Sequence, residues 1–544
     1  MQRGLSGEAR EKFLRPVFDE NHDPFLIHEM DKAVARIFSA IEKKEKIIIF
    51  SDYDADGIPG AVILHDFFKK IGYANFENYI PHRVLEGFGL NDAAIDGFAK
   101  DNAKLIITID CGTANIAEAK NIKKLGMDLI IIDHHLPTLI DMKEILPTAV
   151  AVLNHKRAAS AYPESILCAS GLCYKLVQAF LQKHGAQFGV KAGWEKWLLD
   201  MVAVATVSDM VPMIGENRIF TKYGLTVLQK SPRPGLQKLL SIIKVNQKTI
   251  TEDDVSFMIS PRVNAASRMG VPTDAFRMLV ETDAAQAGAY AEHLNKINDE
   301  RKVVVAQIVK EIKKQWKQID PEKKRKVLVT GNPDWRPSLL GLIASSLMDE
   351  HDGPVFLWGR GEGETLKGSC RADAASDVVA LMRECAEHFT EYGGHAKSGG
   401  FAVKPDHVDT LRDALEAAYV KLAKPQSEKE LAADAVLSID DITGELTDAV
   451  SMLAPFGMDN PKPVFLFQRA TPSDVKMFGK KKDHLKLEFK QSNGRMVSAI
   501  AFFSSPEKFS AHIEAGMPLS LYANLEKSFF LGRPEIRLRI VDIQ

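Results

Sequence analysis

The stretch Leu129–His135 reads Leu-Ile-Ile-Ile-Asp-His-His and changes from apolar to ionisable residues in one step. Four apolar residues, three of them β-branched, are typical of a buried strand. In an open α/β sheet, sites form at the carboxyl ends of strands, where Asp133, His134 and His135 fall. A buried carboxylate beside two imidazoles needs a compensating charge, such as a divalent cation. The alternative is a polar strand end with one hydrogen-bonded core histidine, and this stretch alone is compatible with both.

The composition is that of an ordinary globular protein. The 544 residues are too many for one hydrophobic core, so we expect several domains. A net charge of −2 neither favours nor excludes a nucleic-acid partner, because binding requires only a local basic face. Five cysteines without a Cys-X-X-Cys pair favour a reducing compartment. With no apolar run long enough for a bilayer and no apolar signal segment, we expect a cytoplasmic protein without a membrane partner.

Short apolar runs alternate with helical periods through the first half of the chain. Strands are predicted at residues 47–50, 76–80, 105–109, 129–132 and 149–153. Helices are predicted at residues 60–70, 91–100, 116–124, 170–184 and 194–207. This alternation favours the α/β class, with a mostly parallel, doubly wound sheet covered on both faces.

The chain divides into five predicted segments. A helical segment at residues 1–45 precedes the parallel-sheet domain at 46–270, and a smaller α/β domain follows at 321–424. Between them, residues 271–320 are predicted to form a long linker helix, continuous from about 273 to 316 and solvated along its charged part. Short strand-like runs separated by Gly, Asn and Lys at residues 431–544 predict a small β-barrel of the OB type.

Acidic residues follow three of the predicted strands and one helix. They are Asp52, Asp54 and Asp56 after the first strand, Asp110 and Asp133 after two others, and Asp209 after the helix. Any one of them could be a cap or turn residue, but gathered carboxylates repel one another unless cations lie between them. Oxygen ligands with a minority of imidazole suit Mn²⁺ or Mg²⁺. Two such ions activate a water and stabilise the leaving oxygen in phosphoester hydrolysis. A nucleotide-binding domain is the alternative, but no phosphate-binding glycine motif follows the first strand.

These motifs resemble, in order, those of the DHH phosphoesterases. The matching residues are Asp52-Tyr53-Asp54-Ala55-Asp56-Gly57, Asp110-Cys111-Gly112, Asp133-His134-His135 and Ser208-Asp209-Met210-Val211-Pro212. Further segments resemble the RecJ family within that group: Pro81-His82-Arg83, Gly215-Glu216-Asn217-Arg218, Pro261–Arg268, Lys367–Arg371, Gly393-Gly394-His395-Ala396 and Leu453–Gly457. The likeness covers nearly the whole chain and includes a DHH domain, a DHHA1 domain and an OB domain.

The resemblance implies specific roles for the site residues. Asp54, Asp56, Asp110, His134 and Asp209 would hold two Mn²⁺ or Mg²⁺ ions, with Asp110 as the bridge and Asp52 assisting. His135 would hold the scissile phosphate and Asp133 would orient an imidazole. The implied activity is 5′→3′ degradation of single-stranded DNA to mononucleotides in recombination and repair, with a helicase and a single-strand-binding protein as partners.

Sequence-independent binding of DNA phosphates requires arginines and exposed backbone amides. The predicted substrate-binding residues are Arg83, Arg262, Asn264, Arg268, Arg371, Gly393, Gly394, His395, Lys480 and Lys481. Glycine lets the backbone approach a phosphate closely, although tight turns would explain the glycines equally simply. Isolated arginines are often surface or interdomain contacts, and the lysines could be a solvated loop rather than part of a single-strand-binding surface.

The chain departs from the family pattern at several positions but retains every predicted metal ligand. Phe88 replaces a usual Tyr, His155 a Pro and Ser267 a Gly, and Trp335-Arg336-Pro337-Ser338 differs from Trp-His-Pro-Gly. RecJ proteins usually have a segment before the first residues seen here, so we expect a short or trimmed version. The alternatives are a DHH phosphodiesterase acting on short RNA or cyclic dinucleotides, and a non-catalytic replication scaffold.

Overall fold

A computed structural model describes residues 4–318, 325–348, 350–361, 365–423, 431–479, 481–528 and 535–544. The chain divides into two compact units. The larger unit comprises Asp23–Asp209 and Gly224–Glu428, and the smaller unit comprises Met1–His22, Met210–Tyr223 and Lys429–Gln544. Among the described helices, none combines the length and the apolar character needed to cross a membrane.

The first sheet of the larger unit is parallel, as predicted. Its strands and a separate hairpin are β1 (Lys46–Ser51), β2 (Phe76–Tyr79), β3 (Ala103–Ile109), β4 (Asp128–Ile132), the hairpin β5 (Thr138–Ile140) and β6 (Lys143–Ile145), and β7 (Ala151–Leu153). The order is β2-β1-β3-β4-β7, and every pair is parallel. All five carboxyl ends therefore lie along one edge of the sheet.

Helices cover both faces of this sheet. In chain order up to the long helix, the described α-helices of both units are α1 (Gly7–Leu14), α2 (Met30–Glu42), α3 (Gly57–Lys70), α4 (Asp92–Lys100), α5 (Ile116–Lys124), α6 (Ala169–His184), α7 (Leu199–Ser208), α8 (Gly215–Leu228), α9 (Pro234–Ile242), the single turn α10 (Glu252–Asp254), α11 (Ser260–Met269) and α12 (Thr273–Val280). The helix predicted from residue 194 was placed too early, because Trp194–Leu198 forms a 3-10 turn before α7. Apolar residues of α4 and α5 pack on one face of the sheet, against Ile106 and Ile131.

The long helix α13 (Ala284–Gln318) differs from its prediction in two ways. It is separate from α12, since Asp283 Oδ1 accepts hydrogen bonds from the amides of Ala285 and Gln286 and so begins a new helix. It is also not a solvated spacer. Ile308 and Ile312, both within the charged stretch, are buried in a core shared with the next helix of the chain.

The second sheet of the larger unit is mixed. Its strands are β8 (Leu328–Gly331), β9 (Val355–Arg360), β10 (Leu366–Arg371), β11 (Phe389–His395) and β12 (Ser398–Val403), with helices α14 (Pro337–Met348), α15 (Val378–Glu384) and α16 (Leu411–Leu422). The order is β11-β12-β10-β9-β8, with only β8 and β9 parallel among these pairs. The sequence pattern did not reveal β10 and β11, because both are rich in glycine and polar residues.

The smaller unit is built on a seven-stranded sheet with order β13-β14-β18-β19-β17-β16-β15. Its elements are β13 (Ala435–Leu437), α17 (Gly444–Ser451), β14 (Phe465–Ala470), β15 (Asp474–Phe478), β16 (His484–Lys490), β17 (Met496–Ala501), β18 (Leu519–Ser528) and β19 (Glu535–Ile543). Residues 210–223 belong to this unit, although their sequence placed them in the segment 46–270. The Arg218 guanidinium joins this segment to the rest of the smaller unit, because it donates to the carbonyls of Leu453 and Pro455.

Candidate metal centre and phosphate-binding cleft

The parallel ladder continues past the strand ends and places the acidic residues side by side. The Asp52 amide donates to Ile109 O at 3.0 Å, the Asp110 amide to Ile132 O at 2.9 Å, and the Asp133 amide to Leu153 O at 3.2 Å. Each acidic residue is thus held by the end of the neighbouring strand. Asp209 follows α7 and joins the same cluster.

Local hydrogen bonds hold the loop after β1. Asp54 Oδ1 accepts from the amides of Asp56 and Gly57, at 2.8 and 3.2 Å. Asp56 accepts from the amides of Ala169 and Ser170, at 2.7 and 2.8 Å. Those two amides begin α6, where the helix dipole favours a negative charge. Both carboxylates are therefore positioned before any ligand binds.

The turn after β3 holds Asp110 in an unusual backbone conformation. Its φ is 60°, which is uncommon for a residue other than glycine. Gly112 follows at φ 111°, and a Cβ there would lie 2.7 Å from Thr108 Oγ1. Such strained backbone is found most often at functional sites. The turn directs the Asp110 carboxylate into the cluster, where its Oδ1 lies 3.3 Å from His134 Nε2.

Asp133 and His135 form a closely paired acid and base. Asp133 Oδ1 lies 2.8 Å from His135 Nδ1, and the Thr113 amide donates to Asp133 Oδ2 at 3.0 Å. Burial alone would raise the pKa of Asp133, but the hydrogen bonds and charge of His135 lower it well below its usual range. Burial would lower the pKa of His135, but the bond to Asp133 outweighs it and raises that pKa. The pair therefore favours a carboxylate beside an imidazolium.

His134 lies among the remaining carboxylates. Its Nε2 is 3.3 Å from Asp110 Oδ1, 3.6 Å from Asp209 Oδ2 and 3.9 Å from Asp56 Oδ2. Burial, together with the charge of His135, lowers the pKa of His134 to about 3. The imidazole is therefore neutral at physiological pH, which is the form that binds a metal.

The other carboxylates destabilise one another's charge. Burial and the charges of Asp56 and Asp54 raise the pKa of Asp209 to about 8. Burial and Asp54 raise the pKa of Asp56 to about 6. Burial and neighbouring carboxylates also raise the pKa of Asp52 and of Asp110 well above the usual range. Cations between these groups would relieve the repulsion.

The donor set fits divalent cations. At this edge of the sheet, three sets of described residues bring their ligand atoms within 4.8 Å of one another: Asp52, Asp54 and Asp110; Asp110, His134 and His135; and Asp56, His134 and Asp209. Asp52 Oδ1 and Asp110 Oδ1 are buried without a hydrogen-bond partner among the described residues. Unsatisfied carboxylate oxygens with one neutral imidazole suit Mn²⁺ or Mg²⁺ better than zinc.

Four arginines of the larger unit, Arg83, Arg268, Arg301 and Arg371, lie close enough for their charges to interact, and Arg268 also interacts with Asp54 of the cluster. The Arg83 guanidinium lies 4.9 Å from the centre of the Tyr53 ring. Burial lowers the pKa of Arg268 to about 9, and the charges of Arg83, Arg301 and Arg371 add to this effect while Asp54 opposes it. The charges of Arg83 and Arg371 thus act on Arg268, and like charges held this close favour an anion. Phosphate binding in this arginine cleft, defined by Arg83, Arg268 and Arg371, stays a prediction.

Four predicted substrate contacts have hydrogen-bond partners within the protein. Arg268 Nη1 donates to Ser338 O at 2.7 Å, and Arg371 donates to Ser345 Oγ at 3.1 Å and to Cys370 O at 2.8 Å.

The other two of these predicted contacts are Asn264 and Arg262. Asn264 Oδ1 accepts from the Ala55 amide at 3.0 Å, inside the loop that carries Asp54 and Asp56. Arg262 is buried and donates to Asn295 Oδ1 at 2.9 Å and to Met258 O at 2.7 Å. Both residues support the surroundings of the cluster in this arrangement, and direct substrate contact by either one stays a prediction.

The glycine motif lies on a strand rather than in a turn. Gly393, Gly394 and His395 end β11, and β12 joins them to β10 so that His395, Ser398 and Arg371 are in register. Gly394 has φ 135°, and a Cβ there would lie 2.4 Å from Ser398 O. Most of β11 is exposed, so Gly393 and Gly394 leave their backbone accessible on the surface of the sheet. Arg371 lies on β10, which is separated from β11 by β12.

The smaller unit holds the last predicted contacts. Lys480 lies outside the described residues, and Lys481 is exposed in the turn between β15 and β16. An aromatic surface lies nearby, with Phe502 and His484 ring centres 5.2 Å apart and the Arg539 guanidinium 4.1 Å from the Phe502 ring. Aromatic rings interleaved with cations suit stacking on single-stranded bases.

Two residues whose charges act on the acidic cluster or on the arginines were not predicted from sequence. Lys156 lies just beyond β7, and its charge acts on several of the acidic groups. This residue could have been found, because β7 is a predicted strand and its carboxyl end lies on the same edge. Arg301 lies within the charged helix α13, where no sequence signal separates it from solvated neighbours.

Family models match three parts of the chain. The DHH family N-terminal domain matches residues 46–206, the DHHA1 domain 324–421 and the RecJ OB domain 433–542. A parallel sheet with this acidic edge, followed by a DHHA1 domain, defines a phosphoesterase of the DHH class.

The similarity to individual proteins is more specific. The chain is 32% identical over 546 residues to the single-stranded-DNA-specific exonuclease RecJ of Bacillus subtilis, covering 100% of this chain and 67% of the relative. Identity to RecJ of Thermus thermophilus is 29%, covering 85% and 65%. The crystal structure of RecJ from Thermus thermophilus in complex with Mn²⁺ matches with a TM-score of 0.81 at 25% identity, covering 100% of this chain and 74% of that one. The chain belongs to the RecJ family and spans about two thirds of the length of these curated relatives.

Proposed function

We propose that this protein is a Mn²⁺- or Mg²⁺-dependent exonuclease that degrades single-stranded DNA from its 5′ end and releases mononucleotides. The observation that carries the proposal is the acidic edge of the parallel sheet, where all predicted metal ligands meet within one cluster. The relatives named above are exonucleases specific for single-stranded DNA, and one of them was crystallised with Mn²⁺.

The cluster provides ligands for two ions. Asp52, Asp54 and Asp110 would hold one of them, and Asp56, His134 and Asp209 would hold the other. Asp110 would bridge the two, since its Oδ1 also lies 3.3 Å from His134 Nε2. When bound, such ions activate water and stabilise the leaving oxygen of a phosphodiester.

The chain's own residues would bind and orient the DNA. His135 is partly exposed, and its bond to Asp133 raises its pKa and so favours the cationic form, which would hold a non-bridging oxygen of the scissile phosphate. Arg83, Arg268 and Arg371 would hold a phosphate of the same strand. Because phosphate contacts carry no sequence information, this grip suits an enzyme that removes any nucleotide.

The remaining assignments follow from the same proposal. Residues 46–270 would form the catalytic DHH domain, 321–424 the DHHA1 domain and 431–544 an OB domain that binds single strands with Lys481 and its aromatic neighbours. The work would be recombination and repair, with a helicase and a single-strand-binding protein as partners. Five buried, unpaired cysteines support a reducing, cytoplasmic location.

The test is digestion of 3′-labelled single-stranded DNA with Mn²⁺. The wild type should give a ladder of shortening labelled products, and Asp110→Asn should give none, because the bridging carboxylate is lost. Asp96→Asn, at an exposed position of α4, is the matched control and should act like the wild type.

The outcomes separate the competing functions. Release of the labelled 3′ nucleotide first would overturn the 5′ polarity. Intact DNA with every metal, together with cleavage of short RNA or cyclic dinucleotides, would favour another DHH phosphodiesterase. A wild type that binds no stoichiometric Mn²⁺ would favour a scaffold.

A further inference from the structure

The carboxyl end of β7 adds a cation to the acidic edge of the sheet. The sequence Asn154-His155-Lys156 directly follows β7, which pairs with β4 in parallel. β4 leads into His134 and His135, so the two strand ends are neighbours. Lys156 therefore emerges beside the metal centre, on the opposite side of β4 from β3 and Asp110.

Hydrogen bonds fix the backbone around Lys156. Its amide donates to Asn154 Oδ1 at 2.9 Å, and Asn154 Nδ2 donates to His135 O at 2.7 Å. The next residue, Arg157, donates through Nη1 to Val152 O at 2.8 Å. The position of Lys156 is thus tied directly to the loop that carries His135.

The charge of Lys156 acts on the metal centre. Burial lowers the pKa of its half-buried ammonium, and the carboxylates of Asp209, Asp133, Asp110 and Asp56 oppose this. Within the described parts of the chain, no ion pair of 4.0 Å or less is formed by this ammonium. Its charge therefore interacts with several carboxylates of the acidic cluster and is not neutralised by a single ion-pair partner.

Lys156 and the arginine cleft act on different members of the cluster. Arg83 acts on Asp52, and the Arg268 guanidinium interacts with Asp54. The carboxylates that act on Lys156 include Asp56 and Asp209 but neither Asp52 nor Asp54 among the strongest. Lys156 and the two arginines therefore interact most strongly with different carboxylates of the acidic cluster, so Lys156 is a cation separate from the arginine cleft.

We propose that Lys156 Nζ donates a hydrogen bond to a non-bridging oxygen of the phosphodiester bound at the metal centre. This inference rests on the proposed nuclease function and adds a substrate-binding residue to it. The physical reason is that bound divalent cations repel the ammonium, so the partner that favours its position is the anionic substrate.

The test replaces Lys156 by Met, which keeps the length of the side chain but removes the charge. The kcat/KM for single-stranded DNA with Mn²⁺ should fall about 100-fold, the loss typical of one preorganised donor. Mn²⁺ affinity measured by calorimetry should stay the same or increase, because a repelling cation is removed. Lys156→Arg should recover part of the activity, since it restores a cationic donor.

A second readout does not depend on cleavage. Binding of a fluorescent, phosphorothioate-linked oligothymidylate is measured at increasing salt concentration. The slope of log K against log salt should be smaller by about 0.7 in Lys156→Met, because one phosphate contact to the single strand is lost.

Lys46→Met is the matched control. Lys46 is also half-buried, but it lies at the amino-terminal end of β1, where it pairs with Glu77 at 2.9 Å and Asp101 at 3.5 Å. The Lys46→Met variant should have the same kcat/KM as the wild type and the same slope of log K against log salt.

Three outcomes would overturn the inference: an unchanged kcat/KM in Lys156→Met, weaker Mn²⁺ binding that accounts for the loss of activity, or an unchanged salt slope. An inactive wild type would instead contradict the proposed function. The dependence of oligothymidylate binding on salt, compared between the wild type and Lys156→Met, would still test whether Lys156 contacts a phosphate.

Discussion

At the scale of single residues, Glu29 shows how one carboxylate joins distant segments of the larger unit. It precedes α2 with φ 66°, and its Oε2 accepts from the Val152 amide at 3.0 Å and from Arg157 Nη1 at 2.8 Å. These bonds connect α2 to β7 and to the segment just beyond Lys156. Burial alone would raise the pKa of Glu29, but the hydrogen bonds from Val152, Arg157 and Lys32 lower it to about 2.

A depressed pKa makes the contribution of Glu29 dependent on pH. The stabilisation is fully present above the unfolded-state pKa near 4.5 and is lost as the pH falls through about 2. Glu29→Gln should lower the unfolding free energy by about 1–2 kcal/mol at pH 7, as expected for lost charge-assisted hydrogen bonds. Urea unfolding at pH 7 and at pH 3.5 should show a smaller difference between the two proteins at the lower pH. Glu42→Gln, exposed on the same helix, should change little.

Asn264 provides a second test at this scale. Because its Oδ1 accepts from the Ala55 amide, Asn264→Ala should loosen the loop that carries Asp54 and Asp56. Mn²⁺ affinity should fall about 10-fold. This is the smaller end of the loss that usually follows when a group that orients metal ligands is removed. Asn264→Asp keeps the acceptor oxygen and should retain most of that affinity. An unchanged Mn²⁺ affinity in Asn264→Ala, with a higher KM for DNA, would instead favour the direct substrate contact predicted from sequence.

At the scale of secondary-structure elements, α13 is the clearest difference between pattern and structure. Its charged residues are compatible with a solvated helix, yet Leu294 and Ile297 are buried near its middle, and Ile308 and Ile312 are buried further along. The apolar positions are too sparse to show in a charged sequence. Their effect depends on α14, which packs against the second half of the helix.

The packing of α13 predicts a large effect of a core substitution. Ile312→Ala should lower the unfolding free energy of the larger unit by about 2–4 kcal/mol, because it leaves a cavity beside Leu339 and Ile343. Val303→Ala on the same helix, at a side chain 56% exposed, should change it by about 0.5 kcal/mol or less. Urea unfolding of both variants measures these changes. If the two substitutions changed the unfolding free energy equally, the result would favour a solvated helix, as the sequence predicted.

At the scale of the whole molecule, the acidic edge makes stability depend on metal. The larger unit gathers carboxylates whose burial and mutual repulsion raise the pKa of Asp56 to about 6 and of Asp209 to about 8. This arrangement costs free energy in the metal-free protein. A cation that binds only the folded state recovers that cost and stabilises the fold by mass action.

Mn²⁺ should therefore raise the midpoint of thermal unfolding. At 100 times its dissociation constant, one ion adds about 2.7 kcal/mol of stability. Asp110→Asn should show a much smaller increase, because a carboxylate of the proposed metal site is lost, and Asp96→Asn should match the wild type. Differential scanning calorimetry with and without Mn²⁺ measures this, and an equal increase in all three proteins would place the bound metal elsewhere.

The order of strands and helices and the gathering of the acidic residues at one edge could be predicted because their signals are local. An apolar run ending in Asp133-His134-His135 indicates both a buried strand and its polar end, and parallel strands must end on a common edge. Tertiary structure was needed for contacts between residues far apart in sequence. It gave Asn264 a backbone partner in another segment, buried one side of α13 and brought the charge of Lys156 within range of the acidic cluster. Each of these depends on the three-dimensional arrangement of separate elements, since burial and charge act through space and not along the chain.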